Sequence, residues 1–93
     1  MGAPRVLRSA VALLEQGDWQ AAHEIVQNWS AAQDPARQGG DEESALSCWA
    51  HGIVHVMEGD LPNARYWYGQ AKRAFPGKYS VPDEIAALKL ACD

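Results

Sequence analysis

The sequence predicts an all-α domain of about five helices, and three observations support this fold class. Gly17-Asp18 and Gly59-Asp60 each place a helix-ending glycine directly before an aspartate that can cap the next helix. Alanine is abundant and threonine is absent, a composition that favours helices in close contact. No segment alternates polar and apolar residues for long enough to predict a strand. The 93 residues are expected to form one domain, over residues 1–93.

The first two helices are predicted at residues 4–16 and 18–33. Gly17 ends the first helix, because glycine tolerates the left-handed backbone that closes a helix. Asp18 follows as the N-cap of the second helix, where its carboxylate can accept a free backbone N–H. A proline and two adjacent glycines then interrupt the chain, so residues 34–41 are expected to form a loop.

The other three helices are predicted at residues 42–58, 60–75 and 81–91. The third helix begins with acidic residues, which favour the positive end of the helix dipole, and it ends at Gly59. Asp60 caps the fourth helix, and a proline in its first turn sits where the missing N–H has no cost. A proline–glycine pair ends that helix, and a serine followed by a proline and two acids opens the last one.

Composition excludes several classes of partner. The net charge of −4 argues against a general nucleic-acid or anionic-membrane binder. The longest strictly aliphatic run, residues 10–14, is too short to cross a bilayer. No signal-peptide core or cleavage site follows the first arginines, so we expect a cytoplasmic protein. Cys48 and Cys92 lack the spacing of a disulfide framework and are expected to be reduced thiols.

An internal repeat relates the two Gly-Asp corners, which lie 42 residues apart. When Gly17 is aligned with Gly59, Ala22 falls on Ala64. Each unit consists of a helix, a Gly-Asp corner and a second helix. The second helix has a small residue one turn after its start, where two antiparallel helices can pack closely. The two helix pairs cover residues 5–33 and 42–76, and residues 81–91 add a C-terminal helix that covers them.

The second unit resembles a tetratricopeptide repeat in the spacing of its small and large packing residues, which are Cys48, Gly52, His55, Gly59-Asp60, Ala64, Tyr68, Ala71 and Pro76. The resemblance extends over about residues 5–76 and implies two tetratricopeptide-like helical hairpins. The stretch from Glu58 to Tyr68 is also similar to a group of short bacterial proteins that share an EGDxxNARYWY-type pattern. That second resemblance implies a bacterial cytoplasmic origin and indicates no activity.

Tetratricopeptide-like proteins bind protein or peptide partners in a groove, and the third helix is expected to offer an apolar one. Tyr66 and Trp67 of the fourth helix extend this surface. Two units are few for a stable array, which needs about three, so the last helix, a second copy or a partner must cover the groove. The sequence therefore favours a scaffold for protein or peptide binding, with a homodimer as one form, over an enzyme. The predicted surface comprises Leu46, Trp49, Ile53, Val56, Met57, Tyr66 and Trp67.

The histidines provide the alternative function, a metal-binding or histidine-dependent enzyme or sensor. His51 and His55 are four residues apart on one helix face, and His23 lies on the helix expected to pack beside them. Glu24 and Glu58 are candidates for a fourth ligand or a base. Such a set suits a divalent transition metal such as Zn²⁺ or Fe²⁺ and leaves one position for water.

The same histidines also have a purely structural interpretation, which the sequence leaves open. Buried imidazoles need hydrogen-bond partners, and Glu24, Glu58, Tyr66 and Tyr68 are available. His23-Glu24 begins like a zinc-protease motif, but a glutamine stands where its second histidine would be. No cofactor, catalytic residue or substrate is identified by the sequence alone.

Overall fold

The computed structural model describes residues 5–31, 41–76 and 80–92, and these residues form five α-helices and no strand. The helices are α1 (Arg5–Glu15), α2 (Trp19–Ala31), α3 (Asp41–Glu58), α4 (Leu61–Gln70) and α5 (Val81–Cys92). The predicted all-α class and the five helices are confirmed. The loop predicted at residues 34–41 lies outside the described residues, except for the first residue of α3. Within the described ranges, no helix combines the length and the apolar character needed to cross a membrane.

The central element is α3, which packs against each of the other four helices. It pairs with α4, as α1 pairs with α2, and it also lies against α2 and α1. The last helix, α5, packs across α1 and α3. The buried core therefore surrounds α3, and its largest side chains are Tyr68, Leu7, Leu14, Ile53 and Leu88.

The two Gly-Asp corners have the geometry that the sequence predicts. Gly17 and Gly59 adopt φ values of +82° and +95°, in the region that side chains disfavour. In each corner the amide of the following aspartate donates to the carbonyl five residues earlier, at 2.9 Å. The carboxylates of Asp18 and Asp60 then accept the amide three residues later, at 3.2 and 3.4 Å. Each corner thus ends one helix and begins the next, with three residues between α1 and α2 and two between α3 and α4.

The fourth helix is shorter than the predicted 60–75, since α4 ends at Gln70. Lys72 adopts φ +59°, and the Arg73 amide donates to the Tyr68 carbonyl at 3.0 Å. This is the same kind of helix end as in the two corners, with a lysine in place of the glycine. The sequence prediction missed it because a lysine does not indicate a left-handed residue.

Replacing Lys72 with glycine should raise the free energy of unfolding by about 1 kcal/mol, because a left-handed L-residue costs about 1–2 kcal/mol. Urea denaturation followed by circular dichroism measures the change. Lys72→Ala is the matched control, since it removes the ammonium group but keeps the Cβ atom. An equal gain in both variants would attribute the effect to charge and contradict the prediction.

The last helix is attached through Glu84, which accepts two hydrogen bonds from the core. Trp49 Nε1 donates to Glu84 Oε1 at 3.0 Å, and the Tyr68 hydroxyl donates to the same oxygen at 2.9 Å. Burial raises the pKa of Tyr68, and the Glu84 carboxylate raises it further, so the phenol stays protonated as a donor. The Arg73 guanidinium lies 3.4 Å from the centre of the Trp49 ring. The two hydrogen bonds of Glu84 hold α5 against Trp49 of α3 and Tyr68 of α4.

Candidate metal centre

The three histidines meet at the contact between α2 and α3. His51 and His55 lie one turn apart on α3, and their ring centres are 4.9 Å apart. His23 of α2 lies 5.0 Å from the His51 ring and 5.2 Å from the His55 ring. One nitrogen from each ring lies within 4.8 Å of the other two. The α2–α3 packing therefore creates a cluster of three imidazoles from residues far apart in sequence.

Burial keeps the imidazole of His51 uncharged. His51 is only 5% exposed and His55 only 6%, whereas His23 is half-buried. The pKa of His51 is lowered to about 4, mainly by burial and to a smaller extent by the nearby His55 and His23. At pH 7 the His51 ring is neutral, which is the form that binds a metal. Its Nδ1 atom is buried and has no hydrogen-bond partner among the described residues.

A carboxylate fixes the hydrogen bonding of His55. Glu58 lies one turn further along α3, and its Oε1 atom is 2.8 Å from His55 Nδ1. When Nδ1 carries the proton and donates it to the carboxylate, the lone pair is on Nε2 and is free to bind an ion. Glu58, His55 and Asp60 also form a second group of close donors, but Asp60 already caps α4.

An open cleft of about 340 Å³ lies beside the imidazoles. It is lined by one pair of residues at four-residue spacing from each of three successive helices. Trp67 of α4 forms one wall, and its ring stacks on His51 at 3.9 Å with an interplanar angle of 9°. The lining pairs are His23 with Gln27, His51 with His55, and Asn63 with Trp67.

Sequence reasoning did not assign Gln27 or Asn63 to this site. The backbone and side-chain amides of Asn63 contact the Asp60 carboxylate, each at 3.4 Å. The same side chain also lines the cleft, one turn before Trp67. The signal that could have identified both residues is the shared spacing of four, which places each beside a cluster residue.

The predicted ligand Glu24 lies apart from the imidazole group. It is exposed on α2 and lines a second opening together with His23 and Glu58. Its carboxylate is not among the donor atoms that lie within 4.8 Å of one another. The structure thus brings together His23, His51 and His55, places Glu58 behind His55, and leaves Glu24 at the edge.

The residues predicted for a binding surface are divided between core and exterior. Trp49, Ile53 and Val56 are 1–3% exposed and belong to the core. Trp49 also lines, together with Leu46, an open cavity of about 340 Å³. α5, one of the covers that the sequence suggested, lies over this side of α3. Leu46 and Met57 are half-buried. Tyr66 is 56% exposed, and Trp67 packs on the histidine cluster.

No protein-family model, curated protein or solved structure matches this chain.

Proposed function

We propose that this protein binds a divalent transition metal ion, with Zn²⁺ as the first candidate, through His23, His51 and His55. The observation that carries the proposal is the approach of one nitrogen from each ring to within 4.8 Å of the other two. Zinc–nitrogen bonds of about 2.0–2.1 Å hold the nitrogens of a tetrahedral site about 3.3 Å apart. The three nitrogens would therefore move from within 4.8 Å to about 3.3 Å of one another on binding the ion.

The surroundings of the rings also support a metal. Buried polar atoms almost always have partners, and His51 Nδ1 has none among the described residues, which leaves this ring with unused binding capacity there. The neutral state of His51 means that no proton has to be displaced from it at pH 7. Glu58 supplies a carboxylate at His55 Nδ1, and metal-binding histidines commonly donate their second ring N–H to such a group.

We expect one equivalent of zinc per chain when the protein is purified without an affinity tag or chelator. Elemental analysis measures the bound metal, and titration of the stripped protein against a zinc-sensitive dye measures its affinity. His51→Ala should weaken zinc binding by at least about 100-fold, because it removes a direct ligand. Gln27→Ala is the matched control, since it alters the same cleft and leaves all three imidazoles in place.

Two further controls make the zinc experiment decisive. Cys48→Ala removes a half-buried thiol one turn before His51 on α3, so unchanged binding in that variant assigns the zinc to the histidines. Circular dichroism establishes that each variant is folded. A folded wild-type protein that neither carries zinc nor takes it up would overturn the proposal.

A second candidate function is a helical scaffold for a protein or peptide, built on two tetratricopeptide-like hairpins. It is supported by the pairing of α1 with α2 and of α3 with α4 through matching Gly-Asp corners. The exposed side chains of Tyr66 and Leu90 offer apolar contacts outside the core. Light scattering tests the homodimeric form, and a monomer at all concentrations would count against self-association.

A further inference from the structure

We infer that the metal site has an open position that activates water, and that the cleft beside it takes small neutral acyl esters for hydrolysis. This inference rests on the proposed metal site and goes beyond it by assigning a reaction and a substrate class. It is carried by the donor count at the cluster, by the cleft, and by the chemistry of the cleft wall.

The donor count leaves one coordination position without a protein ligand. Structural zinc sites have four protein ligands, whereas catalytic sites have three and a water molecule. Among the described residues, no cysteine, aspartate or glutamate joins the three imidazoles within 4.8 Å. Glu58 is engaged with His55 at 2.8 Å, and burial raises the pKa of Cys48, which keeps that thiol protonated. The fourth ligand therefore comes from solvent.

The cleft gives a substrate access to that position. All three histidines line it, so an ion held between them would lie at the cleft wall. A volume of about 340 Å³ is at the lower end of the range for small-molecule sites, about 300–1,000 Å³. A compound with a short acyl group and one ring is of the size that such a cleft accommodates.

The lining of the cleft indicates a neutral substrate. Apart from the imidazoles, the described lining consists of the carboxamides of Gln27 and Asn63 and the indole of Trp67. Carboxamide N–H groups can donate to a carbonyl oxygen, and the indole provides an apolar wall. No described lysine, arginine, aspartate or glutamate lines the cleft, so it offers no charged side chain to a phosphate ester or a cationic ligand.

The reaction is ester hydrolysis and balances without an oxidant or reductant. Zinc lowers the pKa of its bound water to about 7, so hydroxide is available at neutral pH. The hydroxide oxygen bonds to the carbonyl carbon, and the bond from that carbon to the alcohol oxygen then breaks. The products are a carboxylate and an alcohol. Of the two protons of the water, one passes to the alcohol oxygen and the other is released to solvent.

The test compares zinc-loaded and zinc-stripped wild-type protein with 4-nitrophenyl acetate, alongside free zinc at the same concentration. Because both samples are the same chain, no variant has to fold. We expect the loaded protein to release 4-nitrophenolate at least tenfold faster than either control, with a rate that rises with pH around a midpoint of about 7. 4-Nitrophenyl phosphate should be hydrolysed no faster than by free zinc. Gln27→Ala should slow ester hydrolysis while leaving zinc affinity unchanged.

Each of the other outcomes identifies which part of the proposal is wrong. Zinc bound at one equivalent, with no hydrolysis above that of free zinc, overturns this inference and leaves the metal site standing. Equal hydrolysis by the stripped protein would mean that an imidazole is the nucleophile, and it overturns the role of metal-bound water. Comparable hydrolysis of the phosphate ester overturns the substrate class. A protein that binds no zinc overturns both the inference and the proposed function.

Discussion

Glu84→Ala should lower the free energy of unfolding by about 3 kcal/mol, because it leaves two buried donors without an acceptor. Trp49 is 3% exposed and Tyr68 is 1% exposed, and both donate to Glu84 Oε1. A buried polar group left without a partner costs about 1–3 kcal/mol, and here two groups lose the same oxygen. Urea denaturation followed by circular dichroism measures the loss.

Two variants separate this effect from the general consequences of losing an acid in the first turn of α5. Asp83→Ala removes the neighbouring exposed acid, so it has the same effect on the helix dipole and should change stability by less than about 1 kcal/mol. Glu84→Gln keeps an acceptor oxygen of the same reach and should recover a large part of the loss. If Glu84→Ala and Asp83→Ala destabilise equally, the hydrogen bonds do not hold α5 in place.

Gly52→Ala should lower the free energy of unfolding by about 2 kcal/mol, although alanine is the better helix former by about 1 kcal/mol. A Cβ atom at position 52 would lie 2.6 and 2.8 Å from the Cδ2 and Cε2 atoms of Tyr68. Tyr68 cannot move away easily, since Glu84 holds its hydroxyl and Phe75 packs edge-on against its ring. Inserting a methyl group into such a contact costs about 1–3 kcal/mol.

Gly69→Ala is the matched control, because the same substitution there adds a methyl group in open space. Apart from its chain neighbours and the backbone of its own helix, no described atom lies within 4 Å of a Cβ atom at position 69, which is in the last turn of α4. It should therefore stabilise the protein by about 0.5–1 kcal/mol through helix propensity alone. Thermal unfolding of the two variants measures the difference. A stabilising Gly52→Ala would show that α3 and α4 separate without cost.

Local physics made the corners of this fold predictable from sequence. Gly17 and Gly59 are required by a positive φ, and each aspartate caps through a contact only three residues away. The end of α4 was not predictable in this way, because Lys72 adopts a positive φ with no local signal. The apolar character of Trp49 was visible, but only the packing of α5 decides that this ring belongs to the core.

Part of the candidate site follows from residue spacing along one helix, and the rest depends on how the helices pack. The spacing of His51 and His55 follows from the helix period, and so does the contact of His55 with Glu58. The position of His23 depends on how α2 packs against α3, which sequence spacing alone does not determine. Only its spacing of four residues from His23 indicated Gln27, and an isolated glutamine becomes part of a site only when another helix lies beside it.

The central position of α3 has a consequence for synthesis of the protein. This helix is synthesised before α5, which lies over it in the folded protein. Until Val81–Cys92 has left the ribosome, Trp49 lacks the acceptor that Glu84 provides and part of the α3 surface stays in contact with water. A stalled chain that ends before α5 would therefore expose apolar surface suited to chaperone capture or aggregation, and native packing around α3 would be completed only after translation reaches the last helix.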